Sequence, residues 1–179
     1  MGKKGDLALG IDLGGSKIYA VVADEKNTIL SRAKIPTPDD GNSRKLASSL
    51  LETGKAALGE LSLTLDDVSC IGIAVPSPVD PLTGDCHFAT NLAVKKFSMK
   101  SLFRELTEKE IFLANDGNCG LLAEVECGSA AKYENAVGYF IGTGLGGALF
   151  LNGKMIIGNS GLAGELGHMI IRKGGRLCG

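Results

Sequence analysis

Residues 7–36 read LALGIDLGGSKIYAVVADEKNTILSRAKIP and contain three short apolar segments separated by two turns. The first segment, 7–13, ends at Gly14-Gly15, and the second, 17–23, ends at a polar turn. Residues 28–36 supply a third strand. Three consecutive strands joined by tight turns predict an antiparallel meander, which differs from the alternating strands and helices of a doubly wound nucleotide-binding fold.

The rest of the chain mixes helical and extended patterns. Apolar residues recur at helical spacing over 43–61, where Ser43 is a candidate N-cap. Further predicted elements are strands at 69–75, 111–114, 136–141 and 147–151 and helices at 99–106 and 119–127, with a possible short helix at 162–167. The long connection 77–96 is typical of a functional loop or of a disordered segment. The sequence therefore predicts an α/β protein whose mixed sheet begins with the meander.

Composition excludes several function classes. The 179 residues include 19 basic and 20 acidic side chains, so no excess positive charge is available to bind a nucleic-acid backbone. The apolar runs are far shorter than the roughly 20 residues of a membrane-spanning helix, and the first residues lack the apolar core of a signal peptide. Five cysteines without the close spacing of a disulfide framework are expected to be reduced. We expect a cytoplasmic protein that binds neither nucleic acid nor membrane.

The first glycine-rich turn follows an acidic residue at a strand end. Asp12 precedes Gly14, Gly15, Ser16 and Lys17. Exposed amides in such a turn bind phosphate oxygens, and the nearby carboxylate can hold a hydrated Mg²⁺. An ordinary hairpin in which Asp12 satisfies the turn amides is an equally good interpretation of these residues alone.

A second glycine loop, 142–147, reads GTGLGG and includes Thr143, Gly144 and Gly146. It contains the G-x-G-x-x-G pattern of a dinucleotide site, and Glu165 follows at a compatible distance. That site requires a helix after the glycines, whereas this loop is followed by an extended segment and by Asn152-Gly153, a strong hairpin signal. We therefore predict that the loop joins two antiparallel strands and binds phosphate.

Two further groups of residues contain side chains that can act as acids or bases. Asn115-Asp116 lies between a strand and a helix, where such residues most often serve as N-caps. The functional alternative is a general base, Asp116, beside an amide that binds sugar hydroxyls. Glu165 and His168 lie three residues apart, and Cys178 follows. Two ligands do not complete a zinc site, which needs four.

Taken together, these segments resemble the ROK family of repressors, open reading frames and sugar kinases. The matching pieces are GIDLGGSKI at 10–18, GIAVPSPVDPLTG at 72–84, Asn91-Leu92, ANDGNCGLLAE at 114–124 and IGTGLGGALFLNGKMIIGNSGLAGELGHMII at 141–171. The resemblance implies a ribonuclease-H-like, actin-like fold with ATP and a hexose bound between two lobes, and a homodimer. Residues 1–116 would form the first lobe, and 117–179 the beginning of the second.

The resemblance also implies a role for each candidate residue. Nucleotide and Mg²⁺ would be held by Asp12, Gly14, Gly15, Ser16, Lys17, Thr143, Gly144 and Gly146. Asp116 would be the catalytic base, and the sugar would contact Asn91, Asn115, Asp116, Glu165 and His168. His168 and Cys178 match zinc ligands of the family. The activity implied is ATP-dependent phosphorylation of glucose or a related hexose at the 6-hydroxyl.

The sequence also departs from the family pattern. Ser77 replaces the glycine usual between Pro76 and Pro78, and no aromatic residue follows Asn91-Leu92, so the identity of the sugar stays open. The family pattern continues beyond Gly179. We therefore expect the chain to be an N-terminal portion with little kinase activity and weak zinc binding of its own. The rival interpretations are a repressor of the same family, which would carry a DNA-binding module ahead of Leu7, and a non-catalytic sugar-binding or regulatory protein.

Overall fold

The fold was analysed in a computed structural model that describes residues 6–86, 98–142 and 144–175. The strands are β1 (Ala8–Leu13), β2 (Lys17–Ala23), β3 (Ile29–Pro36), β4 (Cys70–Val75), β5 (Ile111–Asn115), β6 (Ala136–Ile141), β7 (Leu145–Leu151) and β8 (Lys154–Met155). The helices are α1 (Ser43–Gly59), α2 (Met99–Arg104) and α3 (Asp116–Cys127), with single 3-10 turns at Leu65–Asp67 and Leu166–His168. The chain divides into two units, Met1–Asp116 and Gly117–Gly179.

The first unit contains a five-stranded mixed sheet in the order β3-β2-β1-β4-β5. β1, β2 and β3 form the antiparallel meander predicted from residues 7–36, whereas β1 pairs in parallel with β4, and β4 with β5. The parallel pairing of β1 with β4 requires a crossover connection. Helix α1, which lies between β3 and β4 in the chain, forms part of it. The carboxyl ends of β1, β4 and β5 therefore meet at one edge of this sheet.

Apolar side chains on one face of the sheet pack against α1 and α2. Alternate residues of the central strands are buried, as the two-residue period of a strand requires. The fully buried members include Leu9, Ile18, Ile71, Leu50 and Phe103. Deleting one such large side chain typically costs about 2–5 kcal/mol. This core fixes the positions of the strand ends.

The start of α1 differs from the predicted start. The N-cap is Asn42, whose side-chain oxygen accepts a hydrogen bond of 3.0 Å from the Lys45 backbone N–H, and Ser43 is the first helical residue. Asn and Ser are both good N-caps, so the sequence alone did not distinguish these adjacent residues. Helix α3 likewise begins at Asp116, three residues before the predicted start.

The second unit is built on the three-stranded antiparallel sheet β6-β7-β8. Leu121 of α3 packs with Ala148 and Phe150 of β7 in a small core. Asn152 and Gly153 join β7 to β8 with φ angles of 52° and 72°, the left-handed values of a two-residue hairpin turn. Among the described residues, no helix is long and apolar enough to cross a membrane.

Candidate functional site

Two carboxylates lie at the edge of the first sheet where the parallel strands end. The strand register aligns Asp12 of β1 with Ala74 of β4, and Ala74 with Ala114 of β5. Asp116 follows Ala114 by two residues at the first position of α3. The topology therefore brings together two acidic residues that are more than 100 positions apart in the sequence.

The environment of Asp12 disfavours its ionised form. Partial desolvation by the surrounding protein, followed by the negative charge of Asp116, raises the pKa of Asp12 above its ordinary value. The side chain is nevertheless exposed at the surface. An exposed carboxylate next to a like charge is electrostatically suited to bind a cation.

Asn115 is held in place beside the candidate base. Its side-chain nitrogen donates a hydrogen bond of 3.1 Å to Oδ1 of Asp116 and a longer one of 3.5 Å to the backbone carbonyl of Ser77. Ser77 is buried. The segment after β4 therefore contacts, through its backbone, the amide that was predicted to bind sugar.

The β1–β2 hairpin forms the first glycine turn. The Gly14 N–H donates to the Lys17 carbonyl at 2.9 Å, and a Cβ atom added at Gly14 would lie 2.9 Å from that same oxygen. Among the described residues, the N–H groups of Gly15 and Ser16 donate to no protein acceptor. Gly15, Ser16 and Lys17 are exposed. The hairpin thus presents two backbone donors and a lysine to solvent.

Thr37 is a residue of this site that sequence analysis missed. It follows β3 and makes two hydrogen bonds to the β1–β2 turn. Its only sequence signal is its place between Pro36 and Pro38 at the end of a strand, and this signal does not indicate which loop it contacts.

In the second unit, the glycine loop connects antiparallel strands, as predicted. Ile141 of β6 pairs with Leu145 of β7, and the Gly142 N–H donates to the Gly144 carbonyl at 2.9 Å. A hairpin cannot provide the helix N-terminus of a dinucleotide site, so that alternative is excluded. Gly144 and Gly146 lie at and just after the turn, and Thr143 lies outside the described residues.

Glu165 and His168 lie at a 3-10 turn in the same unit. Glu165 is half-buried, His168 is exposed, and the His168 N–H donates to the Glu165 carbonyl at 3.2 Å. A Cβ atom added at Gly167 would collide with the backbone oxygen of Leu145, so the turn packs directly on β7. Asn91 and Cys178 lie outside the described residues.

The described residues are better suited to bind Mg²⁺ than to bind zinc. No three or more His, Cys, Asp or Glu side chains within 6–86, 98–142 and 144–175 are grouped to hold a metal ion. His168 is the one predicted zinc ligand among them, so the described residues do not form a zinc site, and zinc binding stays a prediction. Asp12 and Asp116 offer the oxygen ligands that Mg²⁺ prefers, and a cation would offset the like-charge contribution to the raised pKa of Asp12.

Comparison with known sequences shows that the chain is similar to sugar kinases of one family. The ROK family profile matches residues 8–179. The chain is 30% identical over 173 residues to a glucokinase of Streptomyces coelicolor, covering 97% of this chain and 52% of the relative. It is 33% identical over 165 residues to an N-acetyl-D-glucosamine kinase of Haemophilus influenzae, covering 89% of this chain and 51% of the relative. The chain therefore spans about half the length of the curated relatives it matches.

Solved structures share the fold. A ROK hexokinase from Thermus thermophilus superposes with a TM-score of 0.83 at 34% identity, covering 97% of this chain and 56% of that one. A ROK glucokinase from Streptomyces griseus in complex with glucose and AMPPNP gives a TM-score of 0.81 at 28% identity. That match covers 93% of this chain and 51% of the glucokinase. A ROK transcriptional regulator, a homolog of the E. coli MLC protein, gives a TM-score of 0.82 at 26% identity. That match covers 98% of this chain and 44% of the regulator. The predicted actin-like fold with a mixed sheet is confirmed.

Proposed function

The chain belongs to the ROK family, and on that premise we propose that it is part of an enzyme that transfers the γ-phosphoryl group of ATP to a hexose hydroxyl. The observation that carries the proposal is the edge of the first sheet, where Asp116 lies near Asp12 and the β1–β2 hairpin has two exposed residues whose amides donate to no acceptor within 6–86, 98–142 and 144–175. Phosphoryl transfer requires a base for the attacking hydroxyl and donors for the phosphate oxygens. In this proposal, that edge of the sheet supplies both.

In this proposal, Asp116 accepts the proton of the attacking hydroxyl, at carbon 6 of the hexose. The hydrogen bond from Asn115 restrains the Asp116 carboxylate, and the same amide is proposed to contact neighbouring sugar hydroxyls. A base that is held in one orientation avoids the entropic cost of ordering it during the reaction. Glu165 and His168 are proposed to contact the sugar.

The amides of Gly15 and Ser16 and the ammonium group of Lys17 are proposed to bind nucleotide phosphates. A phosphate-binding role is proposed separately for Thr143, Gly144 and Gly146 of the second glycine loop. Asp12 would hold Mg²⁺, which supplies charge neutralisation on the phosphate oxygens when it is bound. A bound cation would favour the ionised carboxylate of Asp12, which desolvation and Asp116 disfavour.

The substrate is proposed to be glucose or an N-acetylated hexosamine. The relatives named above act on these two kinds of sugar, according to their names. Ser77 contacts Asn115 through its backbone carbonyl, so the segment after β4 adjoins the proposed sugar contact. A cytoplasmic homodimer remains part of the proposal.

A non-catalytic, sugar-binding regulator is the second candidate. It is favoured by the likeness to the transcriptional regulator, which matches 98% of this chain as closely in fold as the kinases do. Regulators and kinases of one family can share a sugar site, so the fold does not distinguish them. The two candidates differ in whether sugar binding leads to turnover.

A coupled ADP-release assay with glucose, mannose, fructose and N-acetylglucosamine tests the proposal. It is run with Mg²⁺ on the 179-residue chain and on any longer polypeptide in which this chain is encoded. Sugar-dependent ADP release from either protein supports the kinase. Micromolar sugar binding by calorimetry without ADP release from either would reject it in favour of the regulator.

A further inference from the structure

Thr37 contacts the first glycine turn through both its side chain and its backbone. Its hydroxyl donates a hydrogen bond of 2.7 Å to the Gly14 carbonyl, and its N–H donates one of 3.1 Å to the Ser16 carbonyl. Thr37 lies 23 residues after Gly14, just beyond the β3 end at Pro36. The turn between β1 and β2 is thus held by a residue from the adjacent end of the third strand.

These two bonds determine which backbone groups the turn presents to solvent. With the Gly14 N–H bonded to Lys17, the carbonyls of Gly14, Ser16 and Lys17 are all engaged within the protein. The N–H groups of Gly15 and Ser16 donate to no acceptor in the described part of the chain. A bound anion would therefore meet the donors of Gly15 and Ser16 without repulsion from these three carbonyl oxygens.

The position of Thr37 is restricted in advance by its neighbours. Pro36 and Pro38 flank it. A residue that precedes proline is confined to extended conformations, and Pro36 has a fixed φ and no N–H of its own. The backbone pairing of Lys17 with Pro36 places this segment next to the turn. Little conformational freedom remains for Thr37 to lose when it bonds to the turn.

We propose that Thr37 is a positioning residue that holds the carbonyls of Gly14 and Ser16, so that the β1–β2 turn presents the amides of Gly15 and Ser16 to an incoming phosphate. This inference rests on the proposed phosphate-binding function of the turn. Thr37 itself need not touch the ligand. It acts through the carbonyls of Gly14 and Ser16, which it turns away from the anion.

The test compares three variants of the chain. Thr37→Val keeps the shape but removes the hydroxyl, and Thr37→Ser restores a hydroxyl without the methyl group. Ser31→Ala is the matched control, because the Ser31 hydroxyl, on the strand that precedes Thr37, donates a comparable bond of 2.6 Å to the Ala57 carbonyl in another part of the unit. Ser31→Ala therefore removes the same kind of bond without affecting the turn.

Binding is followed by amide NMR during titration with inorganic tripolyphosphate, which needs no adenosine-binding residues. In the parent chain we expect the signals of Gly15 and Ser16 to shift. Thr37→Val should raise the tripolyphosphate concentration at the titration midpoint about 3- to 10-fold, the typical effect of one hydrogen bond on an equilibrium constant. Thr37→Ser and Ser31→Ala should stay within about twofold of the parent. Faster hydrogen exchange at Gly14 in Thr37→Val alone would report the loosened turn.

The outcomes separate the two hypotheses. If the parent signals of Gly15 and Ser16 do not respond to tripolyphosphate, the turn is not a phosphate site, and the proposed function and this inference both fail. If the parent responds and Thr37→Val binds equally well, only the role of Thr37 is rejected. Equal weakening by Ser31→Ala would show a general loss of stability and would also reject the positioning role.

Discussion

Asp12 lies next to the last residue of β1, Asp116 directly follows β5, and the charge of Asp116 helps to raise the pKa of Asp12 across the intervening strand β4. The parallel register through Ala74 creates this relationship. Like charges in proximity destabilise one another unless a cation or a proton is bound. The pair is therefore placed for ligand binding at some expense of stability.

Replacing Asp116 with Asn tests the proposed base. The amide keeps the shape of the carboxylate but cannot accept the hydroxyl proton. We expect turnover in an active polypeptide containing this chain to fall by about 10²- to 10⁴-fold, with sugar affinity nearly unchanged. Steady-state kinetics and calorimetry measure the two effects. Asp66→Asn, at a fully solvated carboxylate, is the control. Turnover within a few fold of the parent at saturating substrate would show that Asp116 is not the base.

The raised pKa of Asp12 predicts an unusual pH dependence of stability. Between about pH 4, where an unfolded-chain Asp titrates, and the higher pKa of Asp12 in the fold, the native state binds more protons than the unfolded state. The contribution of Asp12 to the free energy of unfolding therefore decreases as the pH rises through this window. Asp12→Asn should remove that decrease and make the protein more stable than the parent at neutral pH.

Denaturant unfolding of both proteins between pH 3.5 and 8 measures this effect. Asp24→Asn is a control of opposite sign, because backbone N–H donors from Thr28 and Lys26 lower the pKa of Asp24. Asp24 stabilises the fold above the unfolded pKa, and this contribution is lost as the pH falls. A parent and an Asp12→Asn variant with parallel stability curves would contradict the proposed electrostatic cost.

Gly14→Ala is expected to disrupt the β1–β2 turn. The new methyl group would lie 2.9 Å from the Lys17 carbonyl, closer than a Cβ normally approaches an oxygen, so the turn must shift. Because the amides of Gly15 and Ser16 depend on this geometry, we expect at least a fivefold loss of tripolyphosphate affinity, comparable with the loss of one hydrogen bond. Gly72→Ala in β4, where an added Cβ has no neighbour within 4 Å, should bind normally. Equal affinities for the parent and Gly14→Ala would exclude a phosphate role for this turn.

Glu165→Gln tests the proposed sugar contact in the second unit. A carboxylate accepts hydrogen bonds from two hydroxyl groups more strongly than a carboxamide does. The variant should therefore lose more affinity for the hexose than for the nucleotide, each measured by titration calorimetry. Glu126→Gln, at an exposed position of α3, should leave both affinities unchanged. Equal losses for the two ligands in Glu165→Gln would instead indicate a role in folding.

Exposed apolar side chains on β6 lead us to predict that the chain self-associates. They belong to Val137, Tyr139 and Ile141. These side chains are 51%, 57% and 89% exposed on one strand. Contiguous apolar surface of this kind usually marks a contact site or an aggregation risk. Light scattering should show dimers or larger species that Val137→Lys reduces. Leu82→Lys, at an isolated exposed leucine in the other unit, is the control and should change nothing. A monomeric parent at high micromolar concentration would contradict the prediction.

Local signals in the sequence predicted most of the elements. The meander of 7–36, the hairpin at Asn152-Gly153 and the strand–loop–strand form of residues 136–151 depend on nearest-neighbour turn chemistry, and the strand pairing confirms all three. The helix starts were less accurate because several adjacent polar residues satisfy the same capping preference. The glycine pattern at 142–147 was ambiguous until the following strand was taken into account.

The sequence by itself determined which residue types end each strand, and hence that Asp12, the glycine turn and Asn115-Asp116 were candidates. Their proximity depends on the register of β1, β4 and β5, which are joined by long connections that no local pattern specifies. The contacts of Thr37 with Gly14 and Ser16 and of Ser77 with Asn115 are likewise long-range. Only the tertiary structure decided these relationships, because burial of the sheet's apolar face, and not the turn chemistry of any segment, fixes how distant strand ends align.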